Sequence, residues 1–197
     1  MICRKYWFGD ICAPSERHLF PLLVDSAYKR FYRCEPGDVV MDVGAYIGDT
    51  PLHFLWQKAA KVVAYEPIYY YWAMFNTRGR NVTVVPKGVW YKNGVMRLRV
   101  VSQDNPGWTE LWGQGLIPVV DLAEELRRVK PDVLKLDCEG CEYALMRIDD
   151  VDVREINGEE HSGGVLFNRL EDLGYKIIDT YYTPDTDLVW FRAVKKK

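Results

Sequence analysis

The chain reads as an α/β fold, a mostly parallel sheet that closes with an antiparallel hairpin. Three observations predict it. Short β-branched runs alternate with stretches of helical apolar spacing. A glycine turn, Asp42-Val43-Gly44-Ala45-Tyr46-Ile47-Gly48-Asp49-Thr50, follows directly on the apolar run Val39-Val40-Met41. Two strand-like runs close the sequence with only Thr183-Pro184-Asp185-Thr186 between them. At 197 residues and 48% hydrophobic content, the whole of 1–197 suits one domain with a full core.

Taken in order, residues 1–35 form an N-terminal segment in which Ser15–Tyr32 predicts a helix covering one sheet edge. Met1–Trp7 leads into Gly9-Asp10 rather than an apolar stretch, so no signal peptide is expected. Val39–Val43 is the first strand, and its glycine turn opens a helix over Leu52–Ala60. Thr50 and Pro51 suit the first turn, as a capping hydroxyl and a φ-locked proline. Lys61–Tyr65 is the second strand, Tyr69–Thr77 a helix, and Val82–Val85 the third strand. Asn93-Gly94 within Val89–Val101 predicts a β-hairpin, the strongest short hairpin signal. It belongs to an insertion, 86–118, that carries Trp108 and Trp112 among glycines. Leu122–Val129 is a helix, Val133–Asp137 the fourth strand and Val165–Leu173 a helix. Tyr175–Thr180 and Leu188–Val194 make the terminal hairpin.

The charge balance excludes some classes. A net charge of −2 offers no basic excess, so no nucleic-acid partner is expected. No run of eighteen or so apolar residues suggests a membrane span. Five cysteines, an odd number, point away from a full disulfide framework and toward a reducing, cytoplasmic setting. Cys138-x-x-Cys141 lacks a second ligand pair for zinc and has an unusual Glu-Gly interior for a redox motif. Its simplest reading is two small, part-buried residues, and no metal is expected.

The glycine turn identifies the ligand class. A backbone free of Cβ atoms, ahead of a helix N-terminus, is a cradle for a nucleotide cofactor. Gly44-x-x-x-Gly48 lacks the G-x-G-x-x-G spacing of a dinucleotide site, and no P-loop run occurs. Glu66 follows the second strand about 20 residues on, where a carboxylate can accept both hydroxyls of a ribose. Pro67 and Ile68 turn the chain there and offer apolar contact to a base.

Asp42-x-Gly44-x-x-x-Gly48 resembles motif I of the class I S-adenosylmethionine-dependent methyltransferases. Lys135-Leu136-Asp137-Cys138-Glu139-Gly140-Cys141-Glu142 resembles the K-[IL]-D-x-E-G-x-E signature of the FkbM-type branch. Gly37–Ala45, Glu66-Pro67 with Asn76, Val120-Asp121-Leu122 and Glu160-His161 match that pattern in order, over roughly 36–175. The resemblance implies a Rossmann-like, mostly parallel seven-stranded sheet with a C-terminal antiparallel hairpin and an extra hairpin after strand three. It also implies S-adenosylmethionine as cofactor and O-methylation of a sugar or other small metabolite. Asp42, Gly44, Ala45, Tyr46, Gly48, Asp49, Thr50, Glu66, Pro67, Ile68 and Asp137 are then the cofactor contacts. Asp137, Glu139 and His161 are the catalytic candidates, since a hydroxyl acceptor benefits from a base. Two departures stand out. Pro86-Lys87-Gly88 supplies no Asp for an adenine amino group, and the two cysteines lie outside the pattern. Rival readings are a binding protein of this fold without turnover, an RNA-directed methyltransferase, and an NAD enzyme, the last disfavoured by the glycine spacing.

Overall fold

The computed structural model describes residues 1–19, 25–100, 109–111, 115–161, 164–184 and 186–196. Its elements are, in order, β1 (Ile2–Tyr6), β2 (Gly9–Ala13), a 3₁₀ turn (Glu16–Leu19), α1 (Asp25–Phe31), β3 (Val39–Val43), α2 (Asp49–Trp56), β4 (Lys61–Tyr65), α3 (Tyr70–Asn76) and β5 (Val82–Val85). There follow β6 (Gly88–Trp90), β7 (Gly94–Val100), β8 (Thr109–Leu111), β9 (Gly115–Asp121), α4 (Leu122–Val129), β10 (Val133–Leu136) and a 3₁₀ segment (Cys141–Arg147). The chain ends in β11 (Glu155–Glu160), α5 (Val165–Asp172), β12 (Tyr175–Tyr182) and β13 (Val189–Lys195).

The main sheet has seven strands in the order β12-β13-β11-β10-β3-β4-β5. Six of them run in one direction, and β13, between β11 and β12, runs against them. Each central strand is buried on both faces. Met41, Val43, Val63, Leu134 and Leu136 point into one core with α4 and α5 residues such as Leu126 and Leu170. Val40, Val62, Ala64 and Val133 point into the other, with Phe31 of α1 and Phe54 of α2. Layers on both faces explain why these strands read as near-continuous apolar runs, broken by Asp42 and Lys135. The connections leave β3 toward β4 on one side and arrive at β10 on the other. The crevice beyond the carboxyl ends of β3 and β10 is therefore the topological switch point.

Three expectations change. The N-terminal segment is not one long helix. Its first residues form the β1–β2 hairpin, which packs on α2 and α3, and within Ser15–Tyr32 the described helical residues are the 3₁₀ turn Glu16–Leu19 and α1. Asn76 of α3 pins that hairpin by exchanging hydrogen bonds with the backbone of Cys12, and also donates to the Ile47 carbonyl. An antiparallel hairpin does follow strand three, but Asn93-Gly94 does not turn between paired strands. β9 lies between β6 and β7 in a four-stranded sheet, β6-β9-β7-β8, so Gly88 and Gly94 flank the same Val119. The Asn93 side chain instead accepts from the Asp121 N–H and donates to Glu124, bracing the start of α4, where Asp121 is the N-cap. Trp108 and Trp112 lie outside the described residues.

The third change concerns the cysteines. Cys3 and Cys12, cross-strand partners in the first hairpin, are disulfide-bonded, and so are Cys138 and Cys141. Only Cys34 is a free thiol. Spacing alone could not show that the β1–β2 register brings Cα atoms 9 residues apart to 4.0 Å. Two disulfides are not what a reducing compartment predicts. Among the described residues no helix is long and apolar enough to cross a membrane.

Candidate active site

The predicted site residues converge at the carboxyl ends of β3, β4, β10 and β11. Parallel register does this directly, because Lys135 pairs with Asp42 and Leu136 with both Val43 and Gly158. Asp137 thus emerges beside Gly44.

The glycine turn is built for close packing. Gly44 has φ +83°, and a Cβ there would sit 1.7 Å from the Asp137 carbonyl oxygen. Gly48, φ +97°, meets Ala73 of α3 in the same way, at 3.0 Å. The glycines therefore admit neighbouring backbone, where the sequence suggested room for a ligand. The turn's N–H groups are also engaged. Those of Gly44 and Ala45 donate to the Tyr65 carbonyl, and that of Gly48 to Ala45. The Tyr46 N–H, from a residue at φ 46°, donates to Glu66 at 2.9 Å. Thr50 is not the helix cap. Gly48 holds that position without a side-chain bond, and the Thr50 hydroxyl donates to Asp42 at 2.6 Å.

Beneath the turn lies a buried ionic network. Lys135 and Asp42 are both fully buried, with Nζ 3.1 Å from Oδ1. The ammonium also donates to the Gly44 carbonyl at 2.5 Å and approaches Asp137 Oδ2 at 3.4 Å. Burial alone would favour the neutral amine, but Asp42 and Asp137 outweigh it and hold the ammonium above its ordinary value. Asp137 Oδ2 also accepts from Tyr32, just past α1, at 2.7 Å, while Tyr28 of α1 donates to buried Asp49 at 2.7 Å. Burial raises the Asp49 carboxyl to about 7, against the Tyr28 bond and the charge of Lys135.

Glu66 is buried and already occupied. Its carboxylate accepts from the backbone N–H groups of Tyr46, Ile68 and Tyr69, at 2.7–2.9 Å. Burial still raises its pKa to about 7, because desolvation exceeds what those three bonds return. Pro67 and Ile68 are half-buried beside it.

On the other side, His161 sits among carboxylates. Its Nδ1 is 2.7 Å from Glu142 and its Nε2 is 3.3 Å from Glu139, with Glu159 at 3.9 Å. Burial would lower its pKa, yet the bonds to Glu139 and Glu142 prevail and push it to about 11. His161 is therefore an imidazolium with both nitrogens engaged, an arrangement that disfavours it as a base. Burial, followed by the charge of Asp137, raises Glu159 well above the usual carboxylate range. Glu139 is raised as well, chiefly by burial.

Sequence reasoning missed Tyr32, Tyr28, Glu159 and the part played by Lys135. Lys135 had a signal, since a lysine inside Val133–Leu136 must find buried partners. The tyrosines, four apart beyond the motif, had none. No His, Cys, Asp or Glu group suited to a metal occurs among the described residues. A depression of about 1070 Å³ lined by Lys130, Asp132, Arg154 and Lys195 lies at the opposite, amino-terminal ends of the strands and contains none of these residues.

No family model matches the chain, and no curated protein matches it either. Solved structures do. A precorrin-6y C5,15-methyltransferase from Geobacter metallireducens is similar at 15% identity, over 87% of each chain, with a TM-score of 0.51. A ribosomal protein L11 methylase from Lactobacillus delbrueckii covers 95% of this chain and 82% of its own, at 11% identity and TM-score 0.53. Sp1610 of Streptococcus pneumoniae was solved with S-adenosyl-L-methionine and is provisionally assigned as a tRNA (m1A22) methyltransferase. It covers 93% of this chain and 74% of its own, at 13% identity and TM-score 0.50. Identities this low establish the fold, and the fold is that of the class I methyltransferases.

Proposed function

We propose that this chain, folded as a class I methyltransferase, binds S-adenosylmethionine and transfers its methyl group to a hydroxyl of a small metabolite, in the manner of the FkbM-type enzymes it resembles. The convergence of the glycine turn, Glu66 and Asp137 on one switch-point crevice carries this reading.

The residues fit the cofactor in three respects. Glu66 offers about four acceptor sites and spends three on backbone N–H groups, leaving one for a ribose hydroxyl rather than the pair first expected. Pro67 and Ile68 provide apolar surface beside it for a base. Asp137 and Glu139, both partly exposed, place carboxylate oxygens on the adjoining wall, where a sulfonium or an ammonium can meet them. When bound, the cofactor supplies an electrophilic methyl group.

The protein's part is placement and proton handling. In-line alignment of nucleophile and methyl supplies much of the rate in such transfers. Asp137 is held by Tyr32 and Lys135 through Oδ2, and its Oδ1 has no partner among the described residues. That oxygen can orient an acceptor hydroxyl and take its proton, with Glu139 as the second candidate base. His161 fixes Glu139 and Glu142 as a cation rather than acting as the base.

Calorimetry with S-adenosylmethionine tests the cofactor. Saturable binding is expected, and a folded protein that ignores millimolar cofactor refutes the reading. Labelled methyl transfer to a metabolite extract, lost in Asp137→Ala, then tests turnover against mere binding. The RNA-directed alternative draws on the assignment of Sp1610 alone. Salt-sensitive RNA binding would favour it, and the net charge of −2 argues against it.

A further inference from the structure

The bond between Cys138 and Cys141 lies within the candidate site and spans Glu139 and Gly140. Such a short loop constrains the unfolded chain little, so global stability is a weak reason for the link. What it fixes is local backbone. Glu139 is left-handed at φ 57°, a conformation that strains a non-glycine residue. The turn it makes with Gly140 sets Glu139 and Glu142 on opposite nitrogens of His161. The same loop forms a wall of the glycine turn, because the space a Gly44 side chain would need is filled by the Asp137 carbonyl and Cys138 Cα.

We propose that Cys138–Cys141 is a reversible thiol–disulfide site, worked by a dithiol, whose oxidised form shapes the cofactor cradle and whose reduced form loosens it. The other cysteines lack this connection. Cys3–Cys12 links strands already laddered by β pairing. Cys34 is a poor nucleophile, its thiol pushed up to about 12 chiefly by burial.

The exchange balances with an external dithiol as the reductant. Cys138 is partly buried and Cys141 only 5% exposed, so the incoming thiolate attacks the more accessible Cys138 Sγ. The S–S bond breaks, Cys141 leaves as a thiolate and takes up a proton. The second thiol of the reagent then attacks the mixed disulfide at the reagent's own sulfur, forming the reagent's internal disulfide and releasing the Cys138 thiol. Two electrons pass to the protein and the reagent is oxidised.

The affinity part of this inference rests on the cofactor reading, so the test has two arms. The full chain is incubated natively with millimolar dithiothreitol, and the reduced cysteines are mapped by differential alkylation and mass spectrometry. Calorimetry with S-adenosylmethionine then compares the oxidised and reduced chains. Cys138 and Cys141 are expected to reduce together, with affinity falling at least about fivefold and recovering on reoxidation. A Cys138→Ser/Cys141→Ser variant should behave like the reduced chain. The reduced native chain remains the primary species if that variant does not fold. Equal affinity in both states, or a bond that resists reduction until the protein is denatured, overturns the proposal. If neither state binds cofactor while folded, the cofactor reading fails, and the second arm decides the switch. In that arm NMR follows His161, which faces Glu139, Glu142 and Glu159. A pKa that drops by about one unit or more on reduction supports a loosened loop, and an unmoved one overturns it.

Discussion

Replacing Lys135 with methionine probes the centre of the site most sharply. The substitution keeps most of the side-chain volume and removes a fully buried charge. Four groups lose a partner at once, namely Asp42 at 3.1 Å, Asp137 at 3.4 Å, the Gly44 carbonyl at 2.5 Å and the Val43 carbonyl at 3.5 Å. Asp137 is partly exposed and keeps Tyr32, so water and a tyrosine compensate it. Asp42 has no exposure, and only the Thr50 hydroxyl remains to it. Leaving one member of a buried pair unmatched costs about 3–5 kcal/mol. That is a large share of a total stability of roughly 5–15 kcal/mol. For a chain of this size it lowers the melting temperature by about 6–20 °C. Urea denaturation followed by circular dichroism measures it. The companion variant is Asp42→Asn/Lys135→Met, in which the amide still accepts from Thr50 and no buried charge is stranded. The double variant should recover most of the loss, since a buried pair replaced as a unit is often near neutral. If Lys135→Met alone costs less than about 1 kcal/mol, or the double variant is no better than the single, the cation is not what balances Asp42.

Two further outcomes follow from the same geometry. Glu66→Ala should weaken cofactor binding and also destabilise the fold by about 2–3 kcal/mol, because three backbone donors lose their acceptor. Glu66→Gln keeps an acceptor for Ile68 and Tyr69 and should be milder in denaturation. Unchanged affinity in both variants would move the ribose contact elsewhere. The clamp on His161 makes stability depend on pH. Its folded pKa, about 11, exceeds the unfolded value near 6.5, so the folded state holds the extra proton between them. That contribution is full below about pH 6.5 and fades as pH rises toward 11. His161→Gln should flatten the alkaline decline in a pH series of urea midpoints, and an unaltered slope would refute the clamp.

Much of the fold was legible because its signals are local. The runs at Val39–Val43, Lys61–Tyr65 and Val133–Leu136 are mostly apolar since both sheet faces are covered, and each became a parallel strand. The terminal hairpin declared itself through two strands with no helix between them. Asn93-Gly94 misled because a turn signal cannot tell whether a distant strand will enter between its two arms, as β9 does. The β1–β2 hairpin gave no periodic signal, since its burial comes from packing on α2 and α3.

The candidate site divides along the same line. By itself the sequence determined which segments carry the chemistry, because strand ends, glycine positions and the Lys135–Glu142 motif are properties of short stretches. Tertiary structure alone decided what each residue does there. It turned Gly44 from a ligand gap into a packing gap, committed Glu66 to three backbone donors, and surrounded His161 with carboxylates until it became a cation. It also joined Cys138 to Cys141 and brought Tyr32 onto Asp137 across 105 residues. Charge state and hydrogen-bond occupancy depend on neighbours a few ångströms away in space, and those neighbours come from separate strands and helices that only folding brings together.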